Sequence, residues 1–259
     1  MDTQQQKPSK ILVIGDSCTD VYCFGSCERI SPEAPVPVLK VLFNEEQPGM
    51  ADNVAKNLES LGSEVLLISN KEKIKKVRYV DNKTKQHLLR VDLGENSLLN
   101  PLPLRYIEET DFSLYDCVVL SDYDKGFLRE GNIEAIIDLA TKAGTPIFVD
   151  SKKSNLSVFK RCFIKINEGE YARSENIPKN SELIVTLGSR GAMHNGEMYP
   201  VESSPVFDVC GAGDTFLAGL VTKYILTKNI KESIVFANRC ATIAVKNFGT
   251  YVINKEELK

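Results

Sequence analysis

The sequence has little that would direct it to a nucleic acid, a membrane or a structural zinc ion. Its 32 basic residues are outnumbered by 35 acidic ones, for a formal net charge of -3, so the basic footprint that a nucleic-acid backbone demands is missing. The longest apolar runs, such as Ile11-Leu12-Val13-Ile14, fall far short of the roughly 20 residues a membrane-spanning helix needs. The start, Met1 to Lys10, is polar and lacks the apolar stretch of a secretory signal. Cys18, Cys23 and Cys27 lie close together, but no Cys-x-x-Cys occurs and neither of the two histidines is near, which argues against zinc. Cys117, Cys162 and Cys240 fall in apolar runs and read as small hydrophobes of a reduced, cytoplasmic protein. No Gly-x-Gly-x-x-Gly follows the first apolar run, so the usual dinucleotide-binding signature is absent.

What is present suits one α/β domain over 1-259. The chain is 42% hydrophobic, enough for a sizeable core. Short apolar runs read as strands at Lys10 to Ile14, Glu64 to Ile68, Cys117 to Leu120, Pro146 to Val149, Phe163 to Ile166 and Leu183 to Leu187. Polar residues follow the ends of nearly all: Asp16, Ser121 to Lys125, Asp150, Asn167 and Gly188. Open parallel α/β sheets place ligands just beyond the carboxyl ends of their strands. Gln47 to Asn53 opens a helix that Val54, Leu58 and Leu61 continue at helical spacing, and further helices read over about 213–226 and 230–247. Two further pieces, about 20–42 and 76–92, alternate or carry edge prolines and read as an accessory flap. Lys71 to Lys76 reads as a basic, solvated stretch.

The stretch around which the rest is arranged is Asp208-Val209-Cys210-Gly211-Ala212-Gly213-Asp214, which runs directly into an apolar helical pattern. Gly211, Ala212 and Gly213 have almost no side chain, so their backbone N–H groups can face a ligand at the positive end of a helix. An acid beside an anion site repels the anion, unless it takes a proton from a hydroxyl that attacks phosphorus held there. The alternative is a glycine-rich turn with an acid suited to a helix start.

Four stretches resemble a known family. They are Gly15-Asp16 with Asp20, Arg29-Ile30-Ser31-Pro32-Glu33-Ala34-Pro35-Val36-Pro37-Val38, Pro48-Gly49 with Asn53-Val54-Ala55, and Leu120-Ser121-Asp122-Tyr123 with Lys125-Gly126. Together with the Gly-Ala-Gly-Asp run and Phe236-Ala237-Asn238, they resemble the ribokinase-like (PfkB) sugar kinases, and within them the kinases of D-glycero-β-D-manno-heptose 7-phosphate. The resemblance implies a three-layer α/β/α sandwich with a mainly parallel sheet and a small β-strand lid. It implies ATP-dependent phosphorylation of the anomeric hydroxyl.

It also implies roles for particular residues. Asp214 is the base, and Gly211, Ala212 and Gly213 form the anion hole. Asn167 and Glu170 organise Mg²⁺ through water, and Lys152 approaches the phosphates. Thr186, Gly188, Gly191 and Asn238 lie on the ATP side, and Asp208 helps to hold a monovalent cation, K⁺ being the candidate. Asp20, Gly49, Asn53, Asp122 and Lys125 surround the sugar. Arg29, Arg90 and Lys125 are the cations expected to hold its 7-phosphate, because a dianion needs paired positive donors. In such kinases the lids of two subunits can clasp, so a homodimer is expected.

Departures from the family pattern are visible. Ser69 to Lys76 replaces a βαβ unit, the stretch between Asn167 and Thr186 is short, and Cys210 stands where Thr is usual. A kinase for another sugar and a non-catalytic nucleotide or sugar binder therefore stay open. Because no nucleotidyltransferase domain follows Lys259, any later activation step is expected to fall to a separate chain.

Overall fold

Every residue of Lys10–Gly15 after Lys10 is buried, as in a strand covered on both faces. The structure is a computed structural model describing residues 7–258 apart from positions 97 and 203. The polar start discussed above lies outside it up to position 6. The strands in chain order are Lys10–Gly15 (β1), Ser17–Ile30 (β2), Pro37–Met50 (β3), Glu64–Ser69 (β4), Lys75–Asp81 (β5), His87–Leu93 (β6), Cys117–Asp122 (β7), Ile147–Ser151 (β8), Phe163–Asn167 (β9), Glu182–Thr186 (β10), Ala192–His194 (β11) and Glu197–Tyr199 (β12). The helices are Ala51–Ser60 (α1), Leu104–Glu108 (α2), Glu130–Ala143 (α3), Glu168–Tyr171 (α4), Ala212–Thr227 (α5) and Ile230–Ala244 (α6).

Eight strands form one sheet in the order β12-β11-β10-β9-β8-β7-β1-β4. It is parallel from β4 through β10 and antiparallel only at β11 and β12. Alternation along its strands feeds two cores. Ile11, Val13, Cys117 and Val119 pack with Val54 and Leu58 of α1, Phe216 and Leu220 of α5 and Ile234 of α6. Leu12, Ile14, Val118 and Leu120 pack on the opposite face with Ile107 of α2 and Ile133, Ile136 and Ile137 of α3. The result is the expected three-layer α/β/α sandwich. The apolar stripe of α3 recurs at helical spacing, and Gly144, at φ 74°, ends that helix in a left-handed turn. Helix α5 is buried on all sides over Asp214–Val221, held between the sheet, α1 and α6, so its N-terminus has one fixed place.

The second sheet has the order β3-β2-β5-β6. It is wider than the expected flap at both ends. Gln47 to Met50, read above as opening a helix, instead completes β3, because Pro48 and Gly49 pair with Thr19 and Cys18 of β2. Helix α1 begins only after Met50, which turns the chain at φ 58°. Lys75 and Lys76 likewise belong to β5 rather than to a solvated connector, and Ile74 before them is buried. The proline-bearing β3 takes the sheet edge, where a missing N–H costs least. On one face of this sheet, Tyr22 and Phe24 of β2 pack on Phe248 with ring centroids 5.1 and 5.4 Å apart. The opposite face carries a small apolar cluster of Val21, Cys23 and Val77.

The short link from β4 to β5 leaves β4 as the edge of the large sheet. Asn70 braces this link: its Oδ1 accepts from Ser17 N at 2.7 Å and its Nδ2 donates to Ser17 O at 3.2 Å. The trimmed layer is thus tied to the first residue of β2, and the strand leading to Asp20 keeps its place.

Candidate active site

The start of α5 is bare. Gly211 is its N-terminal cap residue, at φ 71°, and no side chain caps the helix. The amides of the first turn therefore face the cleft with the positive end of the helix behind them. Asp208 shapes the loop before it, since Oδ1 accepts from Cys210 N and Oδ2 from Gly249 N, both at 3.0 Å. Burial would raise the Asp208 carboxyl, but these bonds keep it below the usual carboxylate range.

Asp214 follows in the first turn and is buried, with 4% of its surface exposed. Both of its oxygens are held: Asn53 Nδ2 donates to Oδ2 and the Tyr123 hydroxyl donates to Oδ1, each at 2.9 Å. The Asn53 amide is itself oriented by Asn57, whose Nδ2 donates to its Oδ1 at 3.0 Å. Burial, and then the Asp150 charge, push the Asp214 carboxyl up to about 6, against the opposing bonds from Asn53 and Tyr123 and the nearby Lys165. It is thus ionised near neutral pH and close to the range best suited to taking a proton.

Beneath the helix start lies a buried group of alternating charge. Lys165 Nζ donates to Asp150 Oδ2 at 2.7 Å, and Lys152 bridges Asp150 Oδ1 at 3.2 Å and Glu170 Oε1 at 2.6 Å. Burial would raise Asp150, yet the two lysines hold it below its ordinary value. A Cβ added to Gly213 would lie only 2.8 Å from Lys165 Nζ, so glycine there lets an ammonium sit directly against the uncapped start of α5.

A cavity of about 430 Å³ opens over these groups. Lys152, Asn167, Thr186, Gly188, Gly191, Asn238 and the Gly211–Asp214 run all line it. The structure therefore brings together the residues expected on the nucleotide side, with Glu170 joined through Lys152. Thr186 Oγ1 donates to Ile166 O at 3.4 Å, and Asn238 Nδ2 to Tyr199 O at 2.8 Å. Gly188 and Gly191 flank a tight turn after β10.

Among the described residues no group of three or more His, Cys, Asp or Glu gathers that could hold a metal ion. Asn167 and Glu170 form a reciprocal capping box at the start of α4, Glu170 N donating to Asn167 Oδ1 and Asn167 N to Glu170 Oε2. One carboxylate and one amide fit Mg²⁺ held through water and phosphate oxygens, not through a protein cage. Asp208, expected at a monovalent cation, is engaged by its own chain. Both Asp208 oxygens already accept backbone N–H groups, and His87 Nε2 stands 3.8 Å from Oδ2.

For the residues expected around the sugar the placement is mixed. Asp20 is buried and paired with Arg78 of β5. Gly49 lies against it, since a Cβ there would fall 2.5 Å from Asp20 Oδ2. Asp122 is fully buried, and its carboxylate accepts from Ser151 Oγ at 2.8 Å and Asp124 N at 3.0 Å. Lys125 pairs with Glu95, and Arg90, largely exposed, pairs with Asp92. Arg29 lies nine residues beyond Asp20 along β2, about 30 Å of extended strand, and is exposed.

Four residues of the site were not singled out from sequence. Lys165 had a signal, being a lysine inside the apolar strand Phe-Ile-Lys-Ile-Asn. Tyr123 lies within a quoted motif but was given no role, and Arg78 and Lys76 had no local signal, because their places come from pairing between distant strands. Arg78 stacks on Tyr22 at 5.2 Å and lies opposite Arg90 in register.

A model described as pfkB family carbohydrate kinase matches residues 67–257. The chain is 34% identical over 301 residues to a "Bifunctional protein HldE" of a Nitratiruptor species, covering 96% of this chain and 64% of that protein. It is 33% identical over 305 residues to one from Haemophilus influenzae (strain PittEE), covering 98% and 63%. The chain thus spans a little under two thirds of the length of the curated relatives it matches. Both alignments are longer than the chain itself, as expected if the relatives carry the peripheral unit trimmed here. Its backbone also matches Arabidopsis thaliana ribokinase complexed with ribose and ATP, at TM-score 0.72, 16% identity and coverage of 97% and 98%. Phosphofructokinase-2 from Escherichia coli in complex with potassium matches at 0.75, 16% identity and 96% of each chain. At such identities the likeness is one of fold.

Proposed function

The chain belongs to the pfkB family of carbohydrate kinases, and from that premise we propose that it transfers the γ-phosphoryl group of ATP to the anomeric hydroxyl of a heptose 7-phosphate, giving a 1,7-bisphosphate. The observation that carries the kinase reading is Asp214, a buried carboxylate held on both oxygens at the uncapped start of α5. The heptose reading rests on the run from Arg29 to Val38 and on the similarity to proteins named HldE.

In this reading ATP occupies the cavity between Asn238 and the start of α5, and the sugar lies between Asp20, Gly49, Asn53 and the small sheet. Asp214 accepts the hydroxyl proton as the oxygen attacks the γ-phosphorus in line and the bond to ADP breaks. The Gly211–Gly213 amides and Lys165 stabilise charge on the transferring group without reorganising. Lys152 holds Glu170 and Asp150 in place beside it. When bound, Mg²⁺ neutralises phosphate charge, and Asn167 and Glu170 would hold it through water. Arg90, Lys125 and Lys76 supply the cations for the sugar phosphate. Arg29 is too far along β2 to serve the site of its own chain, and would act only from a neighbouring copy, in keeping with a lid-to-lid homodimer.

A second reading, a kinase for a different sugar phosphate, is favoured by that same distance, since the most specific run is not a sugar contact within one chain. A screen of ATP turnover over sugar 7-phosphates, other sugar phosphates and free sugars separates the two. Turnover with the heptose 7-phosphate well above the rest supports the proposal, and preference for another acceptor replaces it.

A further inference from the structure

Tyr123 stands where the two halves of the site meet. Its backbone N–H donates to Asp16 Oδ2 at 2.7 Å, which anchors the loop after β7 to the end of β1. Its hydroxyl donates to Asp214 Oδ1 at 2.9 Å. Its ring carries two ammonium groups, Lys76 Nζ at 5.2 Å from the centroid and Lys152 Nζ at 5.1 Å. Lys76 belongs to the small sheet, whereas Lys152 is tied to Asp150 and Glu170 on the nucleotide side.

We propose that Tyr123 is a positioning residue for phosphoryl transfer: it fixes the plane of the Asp214 carboxylate and favours the ionised form that takes the acceptor's proton. This rests on the reading of Asp214 as the base. With Asn53 alone the carboxylate could rotate about its last bond. Donors on both oxygens remove that freedom and leave the remaining lone pairs for the incoming hydroxyl. Burial, and then the charges of Asp214 and Asp150, push the Tyr123 hydroxyl well above its ordinary value, so it stays a donor at working pH. The groups that face Asp214 are Asn53 from α1, Asp150 from β8, Lys165 from β9 and Cys18 from β2, besides Tyr123 itself. Of the donors, Tyr123 can be silenced by removing a single oxygen.

The test is Tyr123→Phe in the full chain. At saturating ATP and acceptor, kcat at pH 7 is expected to fall about tenfold or more, the size of one hydrogen bond to a charged group. The acid limb of kcat is expected to move to higher pH, because the mutant carboxylate loses a donor that stabilised its charge. KM for ATP is expected to stay within about twofold, since the ring and both lysines remain. An unmoved acid limb, with or without a fall in kcat, overturns the proposal, since a merely structural role would leave the limb in place. A second readout needs no acceptor: the ¹³C carboxyl titration of Asp214, its resonance identified by its loss in Asp214→Asn. A higher midpoint in Tyr123→Phe supports the proposal, and an equal or lower one overturns it. If the native chain phosphorylates no sugar phosphate, the functional reading fails while this titration still decides the role of Tyr123.

Discussion

Replacing Asp214 with Asn separates catalysis from stability, because the two are expected to move in opposite directions. The native carboxyl is raised from 3.8 to about 6, chiefly by burial. A folded-state value above the unfolded one means that ionisation costs the folded state stability. The cost is absent below about pH 4, grows as pH rises toward 6, and is complete above that. Two units correspond to roughly 3 kcal/mol. Asn keeps the shape, accepts from Asn53 and donates to the Tyr123 oxygen, but never ionises. At pH 7.5 the variant is therefore expected to be more stable by up to about 3 kcal/mol, or several degrees in Tm for a chain of this size. This advantage should disappear as pH falls below about 4. Turnover should drop at least about a hundredfold, the usual contribution of a general base. ATP affinity should hold or increase, since a negative charge beside the triphosphate has gone. In the native chain kcat should lose activity through an acid limb near pH 6. Calorimetry, titration of ATP binding and steady-state kinetics on one preparation read all of these. If Asp214 only suits the helix start, its loss costs around 1 kcal/mol and activity survives. Retained turnover with a lowered Tm would refute the assignment.

Three further outcomes are expected. Arg78→Met leaves the buried Asp20 carboxylate without its partner, so it should destabilise the fold by about 3–5 kcal/mol and raise KM for the sugar, with KM for ATP little changed; Arg29→Ala, at an exposed position, should leave Tm little changed, and a large Tm loss there would contradict the placement of Arg29. The small sheet leaves Val41, Leu42 and Phe43 of β3 and Leu89 of β6 exposed, so light scattering after size exclusion should show a homodimer, and a strict monomer at micromolar concentration would rule out the clasp.

The large sheet was legible because its strands are short apolar runs ending in polar residues, and burial on both faces requires such runs. Most of the residues expected around the nucleotide line one cavity for a related reason: they sit at strand ends or at the start of α5, so chain position gives spatial position, whereas Asn238 reaches it from the middle of α6. The placement of the residues expected around the sugar was not legible. Gln47 to Met50 read as a helix opening because Pro and Gly suit both a helix start and an edge strand, and only pairing with Thr19 and Cys18 decides between them. Arg29 lies in the most recognisable run of the chain, yet distance along β2 separates it from Asp20, and no local pattern encodes how far a long hairpin projects. Lys76 and Arg78 join the site through register between strands far apart in sequence, and Tyr123 through the loop after β7. Lys165 alone was readable in principle, since a lysine inside a buried strand must find a partner, here Asp150.

The central claim is phosphoryl transfer to the anomeric hydroxyl of a heptose that already carries a phosphate. The most direct measurement is ³¹P NMR of the full chain incubated with Mg²⁺, ATP and D-glycero-β-D-manno-heptose 7-phosphate. The expected result is a new anomeric phosphate resonance growing in step with ADP while the 7-phosphate signal persists in the product, and its absence with Asp214→Asn. ATP left intact, or ADP formed with inorganic phosphate and no sugar bisphosphate, would contradict the account.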